Sequence, residues 1–351
     1  MRSSPPPSSV LHPPMISVIV PAYNRADEVE KFLYSFEKQS AKNFEIIIVD
    51  DGSTDNTKTV VETHKHKLDL KYFFHQNEGP GAARNLGMEN AKGDILVFID
   101  SDCTVPEDYI NNLTHHLENE NFDAFGGPDT CHKNFSPFLK AINYSMTSFI
   151  GTGGTRGSKG KQLAKYYPRS FNMGIKRNVY EQIGGMNALR HGQDMEFSNR
   201  VFNAGFKVSF LSDVKVYHKR RTNLKKFFKQ IFNWGVTRIN LGRIDPKMLK
   251  PIHFLPAIAL FGYIISLVLI FFLPIFLWIF LCESSLLVLI ILFACIQSTV
   301  RNKSFIVGML SIITLLTQVI GYGAGLITGL VKSLFVKKGK WVTGFTKKYY
   351  K

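Results

Sequence analysis

Short apolar runs alternate with stretches of helical periodicity through the first hundred residues. The runs are 16–20, 44–49, 70–75 and 94–99. The fourth is continuously apolar over its last five residues, which reads as a buried strand of a parallel sheet. Between them, 27–39 carries Val29, Phe32, Leu33 and Phe36 at helix spacing, and 55–66 and 82–91 can also be helical. Strand and helix alternate at roughly 28-residue intervals, which predicts a mostly parallel α/β sheet with crossover helices.

Past Pro106 the pattern loosens. Residues 152–161 are a loop of Gly, Ser and Lys; 194–204 reads as a helix with Phe197, Val201 and Phe202 on one face and Gly205 as its stop. A last strand pair or bend spans 207–216. Residues 223–250 interleave basic residues with Phe227, Phe228, Ile231, Phe232 and Trp234. That is an amphipathic helix on a bilayer surface, or an ordinary surface helix of the globular part.

Residues 252–282 then hold no charge. As one helix they would run about 46 Å against a hydrocarbon core of about 30 Å, so a break is needed, and Pro274 supplies one. Spans near 252–273 and 275–296 leave Glu283 inside the second. The other division turns at Glu283-Ser284-Ser285 and places a short span at 286–300. A third block covers 305–331. Three crossings would carry the Lys-rich tail to the side opposite the N-terminal α/β part, against the positive-inside tendency, unless the third block is re-entrant or broken. Its Gly321, Gly325 and Gly329 form a close-packing face for a homodimer or for the chain's own helices.

Charge sharpens this division. The 351 residues carry a net charge of +16, yet residues 1–218 hold 24 Lys+Arg against 25 Asp+Glu. The excess lies in 219–250, with ten basic residues and one acidic, and in 332–351, with seven Lys and no acid. Basic segments bordering apolar blocks point to anionic lipid on a cytoplasmic face. They fit poorly with a nucleic-acid binder. The four cysteines (Cys103, Cys131, Cys282, Cys295) form no C-x-x-C pair, which argues against a zinc site or a disulfide framework. Residues 1–14 read as a disordered Pro/Ser-rich tail without the apolar core of a signal peptide. The linear plan is an α/β domain over 15–218 (halves 15–128 and 129–218), the basic segment 219–250, a membrane region 251–331 and a basic tail 332–351.

The candidate chemistry sits at strand ends. Asp100-Ser101-Asp102 follows the fourth run, where open α/β sheets bind ligands. Paired carboxylates suit Mg²⁺ or Mn²⁺ and, through the ion, a diphosphate; Asp and Ser also simply start turns. Tyr23, Asp51 and Arg84 lie after other strands and would converge on the same crevice, a Tyr stacking on a base and an Arg pairing with base or phosphate. Two tempting motifs fail. Gly79-Pro80-Gly81-Ala82-Ala83-Arg84 lacks the third Gly of a dinucleotide fingerprint, and Gly160-Lys161 lacks the earlier Gly and following Ser/Thr of a Walker loop.

Taken in order, the motifs resemble glycosyltransferase family 2, with the GT-A fold. The likeness spans about residues 16–218. Val18-Ile19-Val20-Pro21-Ala22-Tyr23-Asn24 resembles the family's opening strand and loop. Val49-Asp50-Asp51-Gly52-Ser53 is similar to the segment whose second Asp contacts the base. Gly79–Asn85 resembles the stretch whose Arg lies by the nucleotide, and Asp100-Ser101-Asp102 the metal–diphosphate motif. Asn172-Met173-Gly174 and Gly184-Gly185-Met186 resemble the acceptor side. His191-Gly192-Gln193-Asp194 stands where the family has Gly-Glu-Asp, with Gln193 for the Glu. Val216-Tyr217-His218 resembles a segment whose His can lie near the metal.

The resemblance implies Pro21, Ala22, Tyr23, Asp51, Arg84 and Asp100 at the nucleotide, and Asp100, Asp102 and His218 at Mn²⁺ or Mg²⁺. It implies Asp194 as general base, and Asn172, Gln193, Gln230 and Trp234 on the acceptor side. The implied reaction is an inverting transfer of one sugar from a nucleotide-sugar, a UDP-sugar being the first expectation. The acceptor would be lipid-linked, met by a multi-pass membrane protein on the cytoplasmic side. A processive synthase is the runner-up, since Gln230-Ile231-Phe232-Asn233-Trp234 matches the Gln-x-x-Arg-Trp of such enzymes except for Asn233. A non-catalytic nucleotide-sugar-binding scaffold is the reading from another class; the presence of Asp100, Asp102 and Asp194 counts against it.

Overall fold

A computed structural model describes residues 14–130, 135–153, 166–189, 191–219, 223–337 and 339–345. The N-terminal tail up to residue 13, most of the 152–161 loop, Cys131 and the last part of the basic tail lie outside these residues. In chain order the elements are β1 (Ile16–Ala22), α1 (Ala26–Glu37), β2 (Phe44–Asp50), α2 (Thr57–His64), β3 (Leu70–Phe74), α3 (Pro80–Asn90), β4 (Ile95–Ile99), β5 (Cys103–Thr104) and α4 (Tyr109–Asn119). Then follow β6 (Ala124–Gly126), β7 (Asp129–Thr130), α5 (Pro137–Thr147), α6 (Phe149–Thr152), β8 (Asn172–Lys176), α7 (Arg177–Ile183), α8 (Gln193–Asn203), β9 (Val208–Phe210) and β10 (Val216–His218). The last four helices are α9 (Leu224–Ile244), α10 (Leu255–Leu269), α11 (Ile275–Asn302) and α12 (Phe305–Ser333). Two compact units result: Met1–Pro128 with Pro168–Met186 and Arg200–Tyr217, and Asp129–Tyr167 with Asn187–Asn199 and His218–Lys351. This grouping interleaves segments that a linear division at residue 218 keeps apart.

The first unit is built on a seven-stranded sheet of order β3-β2-β1-β4-β8-β6-β9. β3, β2, β1 and β4 are parallel, as the apolar runs predict, while β8 is inserted antiparallel between β4 and β6. Every residue of β1, β2 and β4 is buried. Val29, Phe32, Leu33 and Phe36 of α1 are all fully covered, each contributing about 1.5–3 kcal/mol by leaving water. Asp27 and Glu28 in its first turn complement the helix dipole. On α3, a side chain at Gly87 would meet Ile19 Cγ2 at 2.3 Å, so glycine lets the helix lie directly on β1. One expectation needs correction. Pro21 and Ala22 are the last residues of β1, level with Val49 and Asp50, and not part of the following loop.

Across β1, β2 and β3, the wholly buried Glu45 accepts from Ser17 Oγ, Lys92 N and Lys71 Nζ, each at 2.6 Å. Burial alone would raise the pKa of this carboxyl. The bonds from Lys71, Ser17 and Lys92 outweigh it and hold the pKa below the ordinary glutamate value.

The second unit is helical. Pro274 does break the apolar stretch, separating α10 from α11, and Glu283 lies within α11. Its carboxylate accepts a 2.6 Å hydrogen bond from Ser266 Oγ on α10, which meets part of the demand of a charge in an apolar helix pair. Three helices are long and apolar enough to cross a membrane: Pro251–Leu269, Ile275–Asn302 and Phe305–Ser333. The buried face of α9 (Phe227, Ile231, Gly235, Val236, Ile239) lies on α12. A side chain at Gly325 would stand 2.1 Å from Phe232 O, and one at Gly235 would stand 2.3 Å from Tyr322 O. The Gly321/Gly325/Gly329 face is thus occupied by α9 of the same chain. This corrects the homodimer expectation: backbones this close leave no room on that face for a second copy.

Two outcomes follow. Gly325→Ala should destabilise the detergent-solubilised protein by about 1–3 kcal/mol. Gly262→Ala, whose new methyl meets only Glu283 Oε1 at 3.7 Å, should not; thermal unfolding compares them. The Glu45 contribution should be present above the unfolded-state glutamate pKa and be lost as pH falls through the lowered folded value. Glu45→Gln should therefore flatten the acid limb of stability against pH, read from denaturation midpoints.

Candidate active site

The parallel register brings the C-terminal ends of β1, β2 and β4 together. Asp51 N donates to Ala22 O at 2.8 Å, tying the exits of β1 and β2. Asn24, with φ 50°, continues the tie: its N–H bonds Ser53 Oγ at 2.7 Å and its Oδ1 accepts from Thr54 N at 2.7 Å. Asp50 accepts from Tyr72 Oη at 2.8 Å and from Ser53 N at 2.7 Å. Burial, and then the Asp50 carboxylate, push the Tyr72 hydroxyl upward, so it stays a donor.

Asp51 itself is fully buried. Its two oxygens accept from Glu78 N and Gly79 N at 2.9 Å each, with His75 Nε2 at 3.2 Å. It thus clamps the loop that leads into α3. That loop turns at Gly79, φ 99°, and Pro80 starts the helix. One turn on, the buried Arg84 reaches Asp100 Oδ1 with Nη2 at 2.5 Å and Pro80 O with Nη1 at 3.2 Å. Asp102 is met by Arg25 Nη1 at 2.6 Å. Burial works against the Arg25 charge, but Asp102, with Asp100 adding to it, more than offsets this and raises its pKa.

Asp51, Arg84, Asp100 and Asp102 therefore converge in the first unit, beside Pro21, Ala22 and Tyr23. Arg25 was not foreseen. Its signal was adjacency: it directly follows the Tyr23-Asn24 loop at the exit of β1. The arrangement is a pair of carboxylates each neutralised by an arginine. A carboxylate has about four lone-pair sites, and an arginine occupies only part of them, so Asp100 and Asp102 suit a hard, oxygen-seeking cation such as Mn²⁺ or Mg²⁺. Arg84 Nε, buried and without a hydrogen-bond partner among the described residues, leaves a spare donor beside them that suits an anion.

Other expected residues are engaged internally. Asn172, paired with Ile99 in the sheet, is completely buried. Its amide accepts from Tyr109 Oη at 2.8 Å and donates to Val214 O at 2.7 Å. This is a structural tie and leaves the amide no reach toward an acceptor. In the second unit, the buried Gln193 donates to Leu189 O. Asp194 sits in the first turn of α8, and its Oδ1 accepts from Met195 N at 2.9 Å. Leu189 and Met195 pack with Leu241, Met248 and Trp341. His218 Nδ1 lies 3.5 Å from Asp129 Oδ2. Gln230 is half-buried on α9, and Trp234 packs with Phe227, Ile231, Ile142 and Met146.

Residues 17–184 match the model for Glycosyl transferase family 2. This is a family 2 glycosyl transferase domain. The chain is 29% identical over 270 residues to "Glycosyltransferase AglE" of Haloferax volcanii, covering 69% of this chain and 84% of that one. It is 42% identical over 116 residues to the "GalNAc(5)-diNAcBac-PP-undecaprenol beta-1,3-glucosyltransferase" of Campylobacter jejuni, covering 32% of this chain but only 38% of that one. The solved mannosyltransferase PcManGT of Pyrobaculum calidifontis, in complex with GDP-Man and Mn²⁺, aligns with a TM-score of 0.59 at 18% identity over 87% of this chain and 88% of that one. That likeness confirms the GT-A fold: a mostly parallel sheet with flanking helices, then C-terminal apolar helices.

A cation at Asp102 would have to displace Arg25, so Arg25→Gln should tighten Mn²⁺ binding to the nucleotide-free transferase several-fold. Asp102→Asn should weaken it. Titration by Mn²⁺ paramagnetic resonance checks both; equal affinity in the wild type and Arg25→Gln would refute the competition.

Proposed function

We propose that this protein moves one sugar, with inversion, from a nucleoside-diphosphate sugar to a hydroxyl of a lipid-carried acceptor on the cytoplasmic face of a membrane. The observation that carries the reading is the arginine-compensated carboxylate pair, Asp100–Arg84 and Asp102–Arg25, at the end of β4. A diphosphate needs both kinds of group: cations for its oxygens and carboxylates for the ion it carries. The named relatives support the class, one of them acting on an undecaprenol diphosphate-linked glycan.

In this reading Pro21, Ala22 and Tyr23 bound the base, and Asp51 shapes the base end of the pocket by holding the loop into α3. Arg84 and Arg25 swing from carboxylate to phosphate as donor enters. Asp100 and Asp102, with His218, would hold Mn²⁺ or Mg²⁺. That ion, when bound, offsets the charge that builds on the departing nucleoside diphosphate. Asp194 takes the proton from the acceptor hydroxyl as its oxygen attacks the anomeric carbon.

Single transfer is favoured over processive synthesis by Asn233. It stands where the processive motif has Arg, is buried, and accepts from Phe345 N at 2.9 Å. A side chain added at Gly344 would come within 2.2 Å of its Oδ1, so a guanidinium has no room there.

Asp194→Asn should bind donor normally yet lose about 10²–10⁴ in transfer rate, the usual worth of a general base. Binding is read by calorimetry with UDP- and GDP-sugars, and transfer by nucleotide release in the presence of a polyprenyl-linked acceptor. Transfer at the wild-type rate would remove Asp194 from the mechanism.

A further inference from the structure

The three apolar helices of the second unit are not alike. In α10 and α11 only 11% of the most apolar window is buried within the protein; in α12 the figure is 39%. Beyond what α10 and α11 supply, α12 is covered by two helices that do not span a bilayer, α5 and α9. α5 is 11 residues long, too short to cross. Its Ser145 Oγ bonds Thr314 Oγ1 at 2.7 Å, and Thr314 also donates to Ala141 O at 3.1 Å. One turn on, Gln318 donates to Gly151 O. From there α9 takes over. Gly321 faces Phe228, Gly325 faces Phe232, and Gly329 faces Val236 and Ile239. Arg243 then donates to Ser333 O at 3.1 Å and Val336 O at 3.0 Å.

The partners advance together along the two sequences, so α9 and α12 run parallel, side by side, at one depth. α9 carries Lys225, Lys226, Lys229, Arg238 and Arg243, which hydrocarbon does not tolerate along a single helix. Its neighbour therefore shares its place at the surface. The helix ends agree. α10 and α11 are antiparallel, with Tyr263 opposite Ser284 and Ser266 opposite Glu283, so residues 255 and 302 are at the same end of the pair. α12 starts there at Phe305, with Gly308 against Thr299, and its Gly323 lies on Pro256, at the start of α10. Both halves of α12 thus stay at the end where α9 leads into the membrane.

We propose that α12 does not cross the bilayer but lies in its surface plane, with Ile306, Ile313 and Ile320 facing the acyl chains. The segment after it then returns to the side occupied by α9. That segment doubles back along α9: Asn240 and Val342 exchange two 2.9 Å hydrogen bonds, and Phe345 stacks 4.5 Å from Phe232. Lys332, Lys337 and Lys340 are thereby held where anionic headgroups lie. The partner of this face is the lipid surface itself, and the inference rests on the membrane reading, independent of sugar transfer.

The test uses the full chain with its four cysteines replaced by alanine, in sealed inside-out vesicles. Lys225→Cys and Lys340→Cys should react alike with an impermeant maleimide; reaction of one and protection of the other overturns the inference. Nitroxides at Ile306→Cys, Ile313→Cys and Ile320→Cys should report similar depths, whereas a spanning helix would separate successive labels by about 10 Å along the normal. Recovery of the chain in the soluble fraction without detergent would overturn the membrane reading and this inference with it. A membrane-bound chain with stepped label depths overturns the inference alone.

Discussion

Two carboxylates one residue apart at the end of a fully buried strand repel each other, and the local fold is arranged around cancelling that repulsion. Arg84 reaches Asp100 from α3, and Arg25 reaches Asp102 from the start of α1. Each arginine is delivered by a device of its own. Arg84 depends on the Asp51 clamp, the Gly79 turn and the close seat of Gly87 on β1. Arg25 depends on the left-handed Asn24 and its bonds to Ser53 and Thr54. The two carboxylates are thus compensated by arginines of the first unit itself, each arginine leaving its carboxylate some lone pairs to spare.

The helical unit rests on a different constraint, the distance of closest approach between backbones. Gly235 and Gly325 let α9 and α12 meet at a spacing that other residues forbid. Towards its N-terminal half, α12 is held instead by polar contacts, Ser145 of α5 with Thr314 and Gln318 with Gly151 O of α6. Where the helices face outward, as at Phe271, Phe272 and Trp278, large apolar side chains stay 84%, 73% and 67% exposed. Such a surface suits a membrane, for which these helices are long and apolar enough. The basic residues gather where the apolar surface ends, so burial and charge mark the same boundary.

Asp194 also lies in the helical unit. It starts a helix whose first turn is packed by Met195 and Leu189 on Leu241 of α9, with Trp341 of the returning C-terminal segment against them.

Apolar runs, helix spacing and Pro274 determined the strands, the crossover helices and the break between α10 and α11, because local burial demand and backbone rules act over a few residues. Family motifs singled out Asp51, Asp100, Asp102 and Asp194 beside the ends of locally readable elements and Arg84 within the first half of α3. What the tertiary structure alone decided came from segments far apart in the chain. Arg25 found Asp102 across 77 residues, Asn172 became a sheet tie through Tyr109 and Val214, and β8 entered antiparallel beside β4. The glycine face of α12 read equally as a dimer seam or an internal one, and only the approach of α9 chose. Composition states that a face is small, charged or apolar; which partner covers it depends on where the chain brings its other faces.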